Sequence, residues 1–327
     1  MDKIKIGVIG VGALGKHHAR LYAALPEVAL VGVYDRDAAT AERVAAEYQT
    51  RAFATVEELA AAVDGLSVAV PTDKHHAAVK PLLEAGKHIL VEKPLTTTVA
   101  EGRELVALAA ARNLILQVGH VERFNPVLEC FDRTPGEARF IEAHRLAPYP
   151  PPRPGLLPRG TEVSVVLDLM IHDLDILLYL VRSPVVQVDA VGVPILSRTE
   201  DIANARIQFA NGCVANVTAS RVSQEAMRKI RVFKTQAYLS LDYGTKKGET
   251  VFLHERKLVR QEIPVVDANA LQLQLADFAR CISEAKSTGT PPQPRVSGED
   301  GLQALALAET ILERIHAAGL AMPKPAL

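Results

Sequence analysis

A two-domain protein of the α/β class is expected from this sequence: a Rossmann dinucleotide-binding domain over residues 1–121, then an α+β domain over residues 122–327. Three observations predict it. Short β-branched runs alternate with longer amphipathic stretches through the first 120 or so residues, a grammar that yields a parallel sheet covered on both faces. A glycine-rich turn, Gly10-Val11-Gly12-Ala13-Leu14-Gly15, directly follows the first of those runs. Beyond residue 121 strand patterns succeed one another without intervening helices, which predicts a large, mostly antiparallel, open-faced sheet.

Taken in order, strands are predicted at Ile4–Ile9, Val28–Tyr34, Leu66–Val70, His88–Val91 and Leu114–Val118. Each is apolar and too short for a helix. Between them the 3.6-residue period marks helices near Leu14–Leu25, Ala38–Tyr48, Val56–Ala62, His75–Ala85 and Val99–Ala111, with Gly86 placed as a C-terminal cap. The second domain begins with a helical piece at Pro126–Asp132 and a strand at Ala138–His144. Ala147–Gly160 holds six prolines and reads as an extended arm. One strong helix is expected over Val163–Val181. Strands follow at Val185–Gly192, Ile202–Phe209, Cys213–Ser220, Lys229–Lys234, Ala237–Asp242, Thr250–His254 and Leu258–Ile263, with a hairpin at Asn211-Gly212. Two helices, Ala270–Ala285 and Gly298–Ala318, close the chain.

Charge and composition exclude several functions. Among 327 residues the formal net charge is -1, which leaves no footprint for nucleic acid. No apolar stretch reaches the roughly 18 residues that would span a bilayer, and no signal-peptide pattern opens the chain. Three well-separated cysteines, Cys130, Cys213 and Cys281, fit neither a disulfide framework nor a zinc knuckle. The expectation is a cytoplasmic protein.

The glycine turn has a ligand chemistry. Gly10 permits the tight turn, Gly12 lets the backbone approach a pyrophosphate, and Gly15 allows close packing of helix on strand. Ala13 and Leu14 open the helix whose N-terminus receives phosphate charge. Asp35 ends the second strand, where a carboxylate accepts the adenosine ribose hydroxyls and repels a 2′-phosphate. NAD is therefore expected over NADP, although Arg36 next to it suits a 2′-phosphate. His17 and His18, in the first turns of that helix, are given no role.

Further chemistry lies where ligands of open α/β sheets bind, outside the carboxyl ends of the strands. Pro71, Thr72 and His75 follow the third of these strands, and Glu92-Lys93-Pro94 follows the fourth. Asp168 and His172 stand four apart on the strong helix and share a face. Oxidising an alcohol needs a base for the hydroxyl proton, a task suited to an imidazole such as His172 with Asp168 orienting it. Lys93 can stabilise negative charge on the oxygen. Which of Lys93 and His172 takes the proton stays open. Asp168, His172, Asp173 and Asp175 are crowded on one helix with no remote partner, so no metal is expected.

With the glycine turn, the segments Val70-Pro71-Thr72-Asp73-Lys74-His75-His76, Glu92-Lys93-Pro94 and Asp168-x-x-x-His172 resemble the glucose–fructose oxidoreductase/inositol dehydrogenase/MocA-type family along the whole chain. The resemblance implies a nicotinamide-dependent dehydrogenase with Lys93 as active-site lysine, Asp168 and His172 as its acid–base pair, and a cis Lys93-Pro94 peptide. It implies that the segment Gln117–Pro126 faces substrate, nominating His120, Arg123 and Asn125; a partly buried interdomain ion pair is the other reading of Arg123. Gly119–Pro126 and Glu162–Asp168 are most similar to the sugar-nucleotide 3-dehydrogenases of that family. That similarity implies oxidation of the C3 hydroxyl of UDP-N-acetylglucosamine, feeding 3-amino sugar synthesis for lipid A. Arg153 and Arg159, with Arg145 nearby, would then meet the diphosphate. Oxidation of a free inositol, polyol or aldose, or NAD sensing without catalysis, are the alternatives. Self-association is expected because helices cover only one face of the second domain's sheet, and the resemblance implies a homodimer or homotetramer through it.

Overall fold

The computed structural model describes residues 3–151, 158 and 160–318. They form two compact units, and the division is not a single cut. The first comprises the chain up to Phe124 together with Asn269–Leu302; the second comprises Asn125–Ala268 and the chain from Gln303. The boundary expected at residue 121 therefore moves to 124, and a return crossing near the C-terminus adds a segment to the first unit. Phe278, Ile282 and Leu275 are the reason: these apolar residues of the penultimate helix are buried with Ile4, Ile6 and Tyr22.

In the first unit β1 (Ile4–Ile9), α1 (Gly15–Ala24), β2 (Val28–Tyr34), α2 (Ala38–Glu47), β3 (Arg51–Ala52), α3 (Val56–Ala62), β4 (Gly65–Val68), α4 (His75–Glu84), β5 (His88–Val91), α5 (Val99–Ala111) and β6 (Leu116–Val118) alternate. The strands form one parallel sheet ordered β3-β2-β1-β4-β5-β6. The order reverses between β1 and β4, the switch point at which such sheets bind ligands. Thr98 and Glu101 close a reciprocal capping box on α5, and Thr55 caps α3; such caps are each worth about 1 kcal/mol. By contrast, α1 has no side-chain cap and no acidic residue in its first turn.

The second unit begins with a one-turn α6 (Glu129–Arg133) and β7 (Ala138–Leu146). The helix expected over Val163–Val181 starts later and is interrupted. Val166–Met170 form a π turn, and α7 proper runs Ile171–Val181. Then come β8 (Val185–Val193), β9 (Ile202–Phe209), β10 (Val214–Ser220), β11 (Met227–Lys234), β12 (Ala237–Asp242), β13 (Lys247–His254) and β14 (Lys257–Ile263). The last helices are α8 (Ala270–Thr288), which belongs to the first unit, and α9 (Gly298–Ala317). Eight strands lie in the order β14-β13-β12-β11-β7-β10-β9-β8, antiparallel except for the β7–β10 pair. The Asn211-Gly212 hairpin joins β9 to β10, with Gly212 at positive φ.

One face of this sheet presents Ile141, Ala143, Val217, Ile230 and Leu239 to Leu174 and Leu177 of α7 and Ala308 and Ile311 of α9, forming the unit's core. The other face carries Phe140, Phe233 and Tyr238, whose rings meet at centroid distances of 5.8 and 5.1 Å. Phe233 of β11 is exposed there, as are Leu253 of β13 and Leu258 of β14.

Candidate active site

The cofactor turn is built by backbone. Gly10 has φ +79°, and a Cβ there would lie 2.8 Å from the Ala69 carbonyl oxygen; at Gly15 a Cβ would run into the Gly10 carbonyl. These contacts press the turn onto β4 and α1 onto the turn. Gly12 differs: no atom lies within 4 Å of where its Cβ would be. Open space beside an uncapped helix N-terminus fits the pyrophosphate of a dinucleotide. Ala13 is exposed and Leu14 half-buried at that opening.

Asp35 shapes this turn. One of its carboxylate oxygens accepts the Val11 N–H at 2.8 Å, and the other accepts the Asp37 N–H at 3.0 Å. Each oxygen keeps a further lone pair for a ribose hydroxyl. Arg36 is exposed beside it. The residues present therefore fit NAD.

Pro71 and Thr72 open a short 3-10 turn after β4, and His75 begins α4. His75 is buried, with Nδ1 2.9 Å from the Pro94 carbonyl oxygen and Nε2 3.0 Å from that of Val70. The ring thus ties the end of β4 to the segment after β5. Burial lowers its pKa, against the two carbonyls that raise it. Glu92 is buried and Lys93 half-buried just past β5, and the Lys93-Pro94 peptide is cis.

Of the three side chains nominated for substrate, all are buried. Arg123 is 3% exposed and lies 3.3 Å from the Asp300 carboxylate, an ion pair within the first unit where an interdomain one was expected. Asn125 accepts the Val127 N–H at 3.2 Å, capping a 3-10 turn, and donates to the Tyr243 carbonyl at 3.4 Å. His120 is fully buried.

In the second unit Asp168 sits inside the π turn and His172 one residue into α7, both half-buried. Their four-residue spacing therefore crosses a π-to-α junction, and π turns frequently mark functional positions. Gly160, at φ +85°, packs on the Asp168 carboxylate, where any Cβ would collide with it. Asp173 does not join that pair. It is buried and takes a bidentate ion pair from Arg145 at 2.8 and 3.1 Å. Arg145 is consequently a buried residue of β7 and no part of a basic arm. Arg153 and Arg159 lie outside the described residues.

Two groups escaped the sequence reading. His18 is completely buried beside Ser67 and Glu92; the helical period that buries Gly15, Leu21 and Tyr22 was the available signal. Arg221 and Asp201 form a buried ion pair at 2.8 Å. They flank the β9–β10 hairpin, Asp201 just before β9 and Arg221 just after β10, so the expected hairpin was the available signal. The cysteines are buried free thiols, and burial pushes Cys213 up to about 11 and Cys281 to about 12, which makes both poor nucleophiles.

Known proteins show the same arrangement. Residues 4–120 match the oxidoreductase family GFO/IDH/MocA, NAD-binding Rossmann fold, and residues 132–240 match the C-terminal domain of that family. Over 293 residues the chain is 38% identical to UDP-N-acetylglucosamine 3-dehydrogenase of Acidithiobacillus ferrooxidans, covering 86% of this chain and 90% of that protein. A solved structure of that organism's UDP-N-acetylglucosamine 3-dehydrogenase GnnA superposes with a TM-score of 0.87 at 36% identity, covering 97% of this chain and 99% of that one. Inositol 2-dehydrogenase of Rhizobium meliloti is 25% identical over 335 residues, covering 95% of this chain and 97% of that protein. With both domains matched in order and the fingerprint turn, the acidic residue after β2 and the Glu92-Lys93-Pro94 segment in place, this chain belongs to the GFO/IDH/MocA oxidoreductase family and is an NAD-dependent dehydrogenase acting on a CH–OH group.

Proposed function

We propose that the chain oxidises the C3 hydroxyl of UDP-N-acetylglucosamine to the 3-keto sugar. The observation that carries this reading is the 38% identity to a UDP-N-acetylglucosamine 3-dehydrogenase across nine-tenths of that protein, which embraces both units. Bound NAD supplies the hydride acceptor. Lys93 holds the hydroxyl oxygen and stabilises the charge that develops on it, while His172, oriented by Asp168, accepts the proton. Asp35 receives the adenosine ribose, and the N-terminus of α1 receives the pyrophosphate. Arg153 and Arg159 supply guanidinium groups for the UDP diphosphate. The product suits a 3-aminotransferase and, through it, the diamino variant of lipid A. Among the described residues no helix is long and apolar enough to cross a membrane, and the reaction is assigned to the cytoplasm, where NAD and nucleotide sugars are available.

The test offers UDP-N-acetylglucosamine, free N-acetylglucosamine and myo-inositol in turn and follows NADH, with a 3-aminotransferase and glutamate added to draw off the ketone. NADH formation confined to the UDP-sugar is the expected result. Brisk oxidation of myo-inositol with none of the UDP-sugar would replace this substrate by a free polyol.

The exposed apolar face of the second sheet is the surface proposed for self-association into a dimer or tetramer. Leu253 and Leu258 stand exposed on the paired strands β13 and β14, and Phe233 on β11 beyond β12, a patch that water-facing sheets ordinarily avoid. Light scattering is expected to give a multiple of 35.3 kDa for the native chain and a lower mass for Phe233→Glu. A monomeric native protein would remove the proposal.

A further inference from the structure

Buried polar groups cluster beneath the cofactor turn. Tyr22 and His18 lie on α1, Ser67 on β4 and Glu92 just past β5, and the His18 ring is 0% exposed. His18 Nδ1 is 2.7 Å from Ser67 Oγ, and its Nε2 is 3.1 Å from Glu92 Oε1. Burial raises the pKa of the Tyr22 hydroxyl, which interacts with Ser67. His18 thus bridges the Ser67 hydroxyl at one ring nitrogen and the Glu92 carboxylate at the other.

At the far end the carboxylate is confined. A Cβ on Gly119 would lie 2.8 Å from both carboxylate oxygens and from the carbon between them. The Lys93 N–H approaches Glu92 Oε2 at 3.4 Å, and the Glu92 N–H donates to the Val68 carbonyl at 3.0 Å. Glu92 is thus held between α1 on one side and the end of β6 on the other, immediately before Lys93. A buried carboxylate is expensive unless it is oriented and partnered, so this arrangement has a physical requirement for His18.

We propose that His18 is a positioning residue for Lys93, acting through Glu92. The cofactor helix, which carries His18, and the Glu92-Lys93-Pro94 segment are thereby locked to one another, so that the lysine is set in register with the dinucleotide turn. This rests on Lys93 being the group that meets the substrate hydroxyl.

Three variants and the Lys93→Met control test it. In His18→Asn the amide reaches Ser67 from the position of Nδ1 and loses Glu92. In His18→Gln the amide nitrogen takes the place of Nε2 and keeps Glu92. Gly119→Ala displaces the carboxylate directly, and because the atom it meets is the end of a flexible side chain, the fold tolerates it. His18→Asn and Gly119→Ala are expected to lower kcat by about 10²-fold, the cost of a small misplacement at a reacting group. Their NAD affinity stays near native values, Tm falls where Glu92 loses its buried partner, and His18→Gln recovers kcat to within about threefold. Equal kcat for the Asn and Gln variants, or a native kcat in Gly119→Ala, would overturn the positioning role while Lys93→Met still abolished turnover. Turnover that survives Lys93→Met would overturn the role of Lys93 and this proposal with it.

Discussion

Replacing Lys93 with methionine is expected to lower kcat by about 10³-fold, because the substitution removes the cation that stabilises the developing oxyanion. Methionine keeps the aliphatic stem, so the packing around the half-buried side chain changes little. NAD affinity, measured by titration calorimetry, is expected to stay within about threefold, since the turn that carries Gly10, Gly12 and Gly15 and the Asp35 carboxylate are untouched. The combination of lost kcat and retained NAD binding separates catalysis from cofactor docking. A kcat within tenfold of native would remove Lys93 from the reaction.

The largest effect on stability is expected at Arg221. Its Nε contacts Asp201 at 2.8 Å, and its two remaining nitrogens donate to the carbonyls of Gly160, Val163 and Glu200 and to the Thr199 hydroxyl. Asp201 in turn accepts three backbone N–H groups, from Ile195, Leu196 and Ser197. The pair closes the chain ends that lead to Gly160, which packs against Asp168. Arg221→Met leaves the carboxylate buried without its partner, which costs about 3–5 kcal/mol. A fall in Tm of about 10 °C follows for a unit of this size, and calorimetry that finds Tm unchanged would contradict it.

The same pair has a definite acid dependence. Burial by itself would raise the Asp201 carboxyl, but the guanidinium and the donors from Ser197 and Leu196 outweigh it and hold the group at about 2. Its folded value is below the unfolded one of about 3.9, so its contribution is complete above that pH and is lost as pH falls toward 2. The Tm difference between native protein and Asp201→Asn is therefore expected to be constant above about pH 5 and to shrink below pH 4. A difference that grows on acidification would reverse the sign of the argument.

Much of the first unit was legible because its signals are local. The run Ile4–Ile9, the glycines at 10, 12 and 15 and Asp35 lie within one strand–turn–helix–strand stretch, and each residue type answers a backbone or ligand requirement in place. Strand ends were less visible. Leu66–Val70 was expected and Gly65–Val68 is observed, because Val70 turns away to meet His75. In the second unit the apolar run through Val163–Val181 concealed the π turn, since a stretch that is apolar on nearly every side has no period from which an inserted residue can be detected. His120, Arg123 and Asn125 have side chains that suit sugar hydroxyls and phosphates, yet a polar side chain is equally suited to a buried cap or ion pair, and Arg123 and Asn125 are used in those ways.

The sequence by itself determined the α/β class, the dinucleotide turn, the preference for NAD and the presence of Lys93, Asp168 and His172, because each depends on residue type at short spacing. Only the tertiary structure decided that α8 returns to the first unit, that Arg145 serves Asp173, and that His18 and Glu92 meet beneath the turn. Those outcomes depend on which residues distant in sequence share a buried volume. In such a volume a charged or polar group must find a partner wherever along the chain that partner lies.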